Sequence, residues 1–281
     1  MHSKKFYIDN YANPIKLEYS NNETFFGDTT VTIYTDYKIS LILTDNCGAV
    51  IGDKLLFPKR GDIIIFRPSE IHFGRFPDQR KYKFISFLIP TNFFEMFFTD
   101  SKNIISPFLD TNDNKINLIQ FPPKVKNKII EIGEELLTMM TDDNNPQNYD
   151  IVIFAKLVEV LDMCNKNYLS QKNVTMQSSV PFIVSETIRK IEDDFPNFMG
   201  LGNLAKHCGC SVTYLTQTFR KHTGKSIHNY LTERRLENSR LLLQDGMSVT
   251  DSCYQSGFSD CSRFISLFKK HFNITPGKYK K

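Results

Sequence analysis

The chain has 281 residues, 41% of them apolar and 12 of them proline, with a net charge of +4. That composition excludes a disordered or collagen-like chain, and the length suits about two domains of roughly 100–200 residues each. The longest apolar runs, such as Ile151 to Phe154 and Leu241 to Leu243, are too short to cross a bilayer, and the six cysteines form no Cys-x-x-Cys pair, which argues against a disulfide scaffold.

Met1-His2-Ser3-Lys4-Lys5 is followed by no apolar leader, so a cytoplasmic protein is expected. From Thr29 to Pro90 the pattern reads as strands: Val31, Ile33, Thr35, Tyr37, Ile39, Leu41 and Leu43 alternate with mostly polar positions. Turn signals follow at Asn46 to Gly48, Gly52-Asp53 and Gly61-Asp62. The run Ile63-Ile64-Ile65-Phe66 and the segment Tyr82 to Ile89 add further strands. Short strands with Gly/Asp turns predict a small barrel or sandwich. The stretch Phe57-Pro58-Lys59-Arg60-Gly61-Asp62-Ile63-Ile64-Ile65, with Pro68 and His72, resembles a cupin-type sensor domain.

In metal-binding cupins two histidines and a glutamate on an early strand join a later histidine. That resemblance puts the positions near Thr32, Tyr34 and Lys38, where only His72 keeps its type. Threonine and tyrosine replace imidazole poorly, and a lysine ammonium repels a divalent cation, so no metal, cofactor or catalytic residue is expected. Tyr34, Lys38, Arg67 and His72 become the candidate lining of a ligand pocket, suited to a sugar or a small anion. The same residues also suit a barrel filled by its own side chains, with Lys38 pointing outward.

Two helical stripes come next. Val125, Ile129, Ile132, Leu136 and Met140 form the first; Ile151, Phe154, Ala155, Val158 and Leu161 form the second, after an Asn/Asp/Pro loop at Asp142 to Pro146. Placed after a barrel that closes its own core, part of this apolar surface is expected to pair subunits into a homodimer. Ser170 to Ser179 lacks periodicity and reads as a linker. The expected division is a sensor and dimerisation domain at 1–169, a linker at 170–180 and a third part at 181–281.

That last part is basic: from residue 181 onward there are 15 Lys/Arg and 9 Asp/Glu, against 20 and 22 before it. Pro181 opens a helix through Ile183, Thr187, Ile188, Ile191 and Phe195. A short helix with Leu201, Leu204, Ala205 and Cys208 stops at Gly209, and Ser211 caps the next. There Leu215 and Phe219 point inward, while Thr213, Thr216, Gln217, Arg220 and Lys221 face out. A longer helix runs from Ser226 to about Gln244, roughly 28 Å at 1.5 Å per residue. Val249 to Ser256, the Gly257 turn, a cap at Ser259 and a helix from about Asp260 to Phe272 then repeat the design. In this second copy Phe264 and Phe268 are inward, Cys261, Ser262, Ile265 and Ser266 outward, with Lys269 and Lys270 at the end. The copies are in register: Phe219-Arg220-Lys221-His222 recurs 49 residues later as Phe268-Lys269-Lys270-His271. A duplicated helix, glycine turn and basic-ended helix is the grammar of a DNA-binding helix-turn-helix. His207-Cys208-Gly209-Cys210 has no second ligand pair at zinc spacing.

Leu204-Ala205, Gly209-Cys210-Ser211, Phe219-Arg220-Lys221, Gly257-Phe258-Ser259-Asp260, Phe268-Lys269-Lys270 and Thr275-Pro276 resemble the DNA-binding domain of the AraC/XylS transcriptional regulators, over about residues 183–281. The resemblance implies an α+β protein: a cupin-like β-barrel and two helices, then an all-α domain with helix-turn-helix motifs at 201–222 and 249–272. It implies a DNA operator as partner, a small-molecule effector (a carbohydrate among the candidates), and RNA polymerase if the protein activates. Base readout is expected from Thr213, Thr216, Gln217, Cys261, Ser262 and Ser266; phosphate contact from Arg220, Lys221, Lys269 and Lys270. Cys208 and Cys253 replace small apolar residues usual in the family. Ser252 and Ser256 replace aliphatic ones, so the second unit is expected to pack more loosely.

Overall fold

The structure is a computed structural model that describes residues 2–6, 15–21, 31–45, 47–52, 54–75, 82–93, 105–110, 115–141, 150–171 and 181–279. The loop expected at Asp142 to Pro146 and most of the expected linker, residues 172–180, lie outside the described residues, as do Lys280 and Lys281.

The first half is mixed and the second all helix. Among the described residues nine strands fall into two sheets: β1 (His2–Phe6), β2 (Ile15–Asn21), β3 (Tyr37–Ile42), β4 (Gly48–Ile51), β5 (Lys54–Leu56), β6 (Ile63–Phe66), β7 (His72–Arg75), β8 (Lys83–Ile89) and β9 (Leu118–Ile119). One sheet has the order β1-β2-β8-β3-β6-β9, the other β5-β4-β7. All the pairings are antiparallel. β1 and β2 lie outside the strands expected from Thr29 onward, although Ile15, Leu17 and Tyr19 alternate as a half-buried strand requires. β3 begins at Tyr37, later than the alternation from Val31 implies. Residues 31–36 hold only one bridge, Thr32 to His72, with Thr32 N–H donating to His72 O at 2.8 Å and His72 N–H returning at 3.0 Å.

Because side chains alternate across a strand, each sheet has two faces with different fates. The six-stranded sheet turns Leu17, Ile39, Leu41, Ile63, Ile65, Ile85 and Phe87 towards α2 (Pro123–Thr141) and α3 (Asp150–Gln171), the helices that follow the short α1 (Ser106–Leu109). Its other face carries Ile42, Ile64 and Phe66 against Ala49 and Ile51 of the small sheet. The small sheet turns Val50, Leu55 and Phe73 the opposite way, onto the C-terminal helices. The order of layers is therefore helices, large sheet, small sheet, helices.

This layering separates the two helical stripes. In α3 the buried line is Ile153, Leu157, Val160, Leu161, Cys164 and Tyr168, whereas Ile151 is 82% exposed. Ile129, Ile132 and Leu136 of α2 are buried as well. The large sheet needs its second face covered, and the first stripe supplies that cover; of the second expected stripe only Leu161 is buried, with Phe154 and Val158 half-buried and Ile151 and Ala155 exposed.

The C-terminal part comprises α4 (Phe182–Asp193), α5 (Leu201–His207), α6 (Val212–Thr223), α7 (Ile227–Gln244), α8 (Val249–Gln255), α9 (Cys261–Phe272) and α10 (Pro276–Tyr279). Its core is split. Val184, Ile188, Leu204, Leu215, Phe219 and Tyr230 form one cluster with the small sheet; Leu236, Leu243, Cys253, Phe264 and Phe268 form another. The long helix α7 supplies residues to both. It is tied to α4 by Arg234 Nε to Glu192 Oε2 at 2.8 Å and Tyr230 OH to Glu192 Oε1 at 2.7 Å.

Candidate functional site

The pairs α5–α6 and α8–α9 share one local design. Each first helix ends at a glycine of positive φ, Gly209 (64°) and Gly257 (86°), and each second helix is capped by a side chain. Ser211 Oγ accepts the Tyr214 N–H at 3.2 Å. The second cap is Asp260 rather than the expected Ser259: its Oδ1 accepts from Ser262 N–H at 2.8 Å and Arg263 N–H at 3.2 Å. A carboxylate there also meets the positive end of the helix dipole.

Leu215, Phe219, Phe264 and Phe268 anchor the two outer helices from within. On the opposite faces, Thr213, Gln217, Arg220 and Lys221 of α6 are exposed, as are Ser262, Ile265, Ser266, Lys269 and Lys270 of α9. The four cations are not covered by the N-terminal half. Two expected readers stand differently. Thr216 is half-buried and its hydroxyl donates to the Val212 carbonyl at 2.9 Å. Cys261 packs against the cluster containing Cys253 and Phe264, because the first residue of α9 still lies over the turn beneath it. Tyr214, 58% exposed, and the exposed Arg263 were missed. The repeat contained the signal: the 49-residue offset that relates Thr213 to Ser262 and Gln217 to Ser266 also relates Tyr214 to Arg263.

The serines that depart from the family pattern are fully buried. Ser256 Oγ receives the Asn238 amide at 3.1 Å, whereas Ser252 Oγ has no partner. A buried hydroxyl without a hydrogen bond is costly. Ser252→Ala is expected to stabilise the second pair by about 1 kcal/mol, read by chemical denaturation.

A second site lies between the sheets: a cavity of about 170 Å³ lined by Thr32, Tyr34, Lys38, Phe66, His72 and Phe84, among others. Thr32, Tyr34, Lys38 and His72 thus lie around one cavity. The Tyr34 and His72 rings stack at 5.2 Å, and Lys38 Nζ lies 3.3 Å from Tyr34 OH. Lys38 is buried, with its ammonium 4.6 Å from the Tyr34 ring centre and 5.3 Å from that of Phe66. Arg67 does not line the cavity. It is buried one position beyond the end of β6, on the other face, with Nη1 3.3 Å from Glu70 and Nη2 donating to the carbonyls of Pro107 and Ile116.

His72 is held neutral: burial first, and the Lys38 ammonium second, push its pKa down to about 3. Its Nδ1 lies 3.0 Å from the Glu70 carbonyl, which fixes Nδ1–H as the donor. Since the unfolded chain would protonate near pH 6.5, the folded protein loses stability as the pH falls from there towards 3. At pH 5 this single group is expected to cost about 2 kcal/mol relative to pH 7, by denaturant titration, and His72→Phe should abolish that difference.

Comparison with known proteins gives these helices a context. A family described as a helix-turn-helix domain matches residues 204–281. A probable transcription factor, PqrA of Proteus vulgaris, is 31% identical over 101 residues, which are 35% of this chain and 83% of that protein. The chain belongs to the AraC/XylS family of transcriptional regulators. Another helix-turn-helix relative of this AraC/XylS regulator, an uncharacterised transcriptional regulator of Pseudoalteromonas carrageenovora, is 32% identical over 99 residues; the match spans 35% of the chain and 59% of the relative. The Msm operon regulatory protein of Streptococcus mutans is 23% identical over 264 residues, covering 89% of this chain and 86% of its own. The AraC/XylS protein is thus a DNA-binding transcription regulator with a sheet-rich N-terminal part and a helical C-terminal part. No helix among its described residues is long and apolar enough to cross a membrane.

Proposed function

We propose that this regulator reads DNA with two helix-turn-helix units, α5–α6 and α8–α9, and that a small effector held in the cupin-like N-terminal domain controls it. The carrying observation is the pair of exposed, basic-ended faces on α6 and α9, joined by α7. At 18 residues, that helix is roughly 27 Å long, near the ~34 Å between successive major-groove faces. Thr213, Tyr214 and Gln217 in one unit and Ser262, Arg263 and Ser266 in the other are the base readers. Arg220, Lys221, Lys269 and Lys270 hold phosphates. On a duplex selected from a random pool, Lys221→Ala should weaken binding to all sequences and flatten its salt dependence. Gln217→Ala should relax preference at one base pair. Equal losses from both on selected and random DNA would refute the division.

The cavity is the effector site in this reading, with domain boundaries near residues 169 and 181. A volume near 150 Å³ already accommodates a benzene-sized molecule. A buried ammonium beside aromatic rings and a hydroxyl supports a compact organic anion, with the Tyr34 ring as a stacking platform that a sugar would also use. Thermal-shift screening against organic acids and sugars, with Lys38→Ala as control, tests this; no shift by any of them would remove the effector. The regulator acts as a homodimer, and recruits RNA polymerase where it activates.

A further inference from the structure

The small sheet and the segment before β3 have their two faces in different business. On one side Thr32, Tyr34, Ala49, His72 and Gly74 line the cavity. On the other, Val31, Ile33, Val50, Ile71 and Phe73 belong to one buried cluster with Val184, Ile188, Phe219 and Tyr230. Alternation along the strand makes this unavoidable: odd and even neighbours of the 31–34 and 71–74 segments face opposite ways. Among the described residues no second layer of backbone separates the cavity from the helical half.

The polar contacts repeat the pattern. Val31 N–H donates to Glu233 Oε2 at 2.8 Å, and Arg240 Nη2 donates to the Ile33 carbonyl at 2.9 Å. These residues flank Thr32, whose backbone is bonded twice to His72. Below them, Lys225 Nζ lies 2.6 Å from the same Glu233 oxygen and 4.3 Å above the Phe73 ring, which meets Tyr230 edge-on at 5.7 Å. Glu233 and Arg240 are both on α7, the helix that joins the two DNA-reading units. A buried interior is close-packed and passes displacement on rather than absorbing it.

We propose that this single-layer wall is the transmission element: a group that fills the cavity displaces Thr32 and His72, and the displacement reaches α7 directly through Val31–Glu233 and Ile33–Arg240. The inference rests on the effector reading of the cavity. It requires no linker, arm or second subunit to carry the signal. It accounts for why α7 is bonded to main-chain groups of Val31 and Ile33, in the segment before β3, whose positions follow the wall and not the rotamer of any one side chain.

The test is a double-mutant cycle that needs no effector. Ala49→Leu fills the cavity from the wall side and stands in for an occupant; Arg240→Ala and Glu233→Ala each cut one link to α7. Independent sites more than about 10 Å apart add in free energy. Affinity of the full chain for a duplex selected from a random pool is expected to change at least fivefold with Ala49→Leu, and that change should collapse to under twofold in either cut background. Effects that simply multiply in both backgrounds would overturn the proposal. If Ala49→Leu unfolds, Cys47→Met fills the same cavity from a neighbouring position. If the parent binds no duplex, the DNA reading has failed, and the same cycle scored by amide exchange of α7 still decides the coupling. If no small molecule shifts the parent while the cycle is non-additive, the wall transmits but the effector reading is wrong.

Discussion

Replacing Gly257 with alanine is expected to cost the second helix pair about 3 kcal/mol, whereas the same change at Gly209 costs about 1 kcal/mol. Both glycines make the turn before an outer helix, and both have positive φ, which any L side chain resists. The difference is space. A Cβ on Gly209 meets nothing within 4 Å, while one on Gly257 would lie 2.5 Å from the Pro196 carbonyl oxygen and 2.6 Å from its Cα. Neither backbone atom retreats easily, since the segment Phe195-Pro196 is clamped from α7: Arg235 donates Nε to the Phe195 carbonyl and Nη2 to the Pro196 carbonyl, both at 3.0 Å. Denaturant titration of the two variants measures the gap, and footprinting should show Gly257→Ala protecting a shorter stretch of DNA. Equal costs would mean that the close approach of Pro196 to the turn is not part of the folded protein.

Removing Arg220, Lys269 and Lys270 together by alanine is expected to weaken DNA binding by about two orders of magnitude near physiological salt, with little change in stability. All three side chains are exposed on the final turns of α6 and α9. Each phosphate contact releases condensed counterions, so the slope of log affinity against log salt should become shallower by about one for each cation removed. Fluorescence anisotropy across a salt series measures both numbers. An unchanged slope would place these cations off the phosphate backbone.

The two halves differ in how far the sequence alone disclosed them, and the reason is locality. Caps, glycine turns and apolar spacing in the last hundred residues are short-range signals, and they located α5, α6, α7, α8 and α9 to within a residue or two. The errors there were about fine placement: Cys261 lies over the core, and the cap moved from Ser259 to Asp260. In the first half, Tyr34, Lys38 and His72 meet in the cavity, but Arg67 does not, since the face taken by a residue just past a strand end depends on partners such as Glu70 and the 107 and 116 carbonyls. The apolar residues Val31 and Ile33 read as ordinary barrel core. That their burial comes from α4 and α7, far downstream in the chain, is a long-range fact with no local trace.

The division of the C-terminal core into two clusters has an evolutionary side. The second pair closes its interior with Cys253, Phe264 and Phe268 of its own and Leu236 and Leu243 of α7, all within the helical half. The first shares its interior with Val50, Leu55 and Phe73 of the small sheet and with Ile71 just before it. Recombining this helical half with a foreign sensor would leave the second pair intact, but would strand an oily patch on the first until several positions had been rewritten.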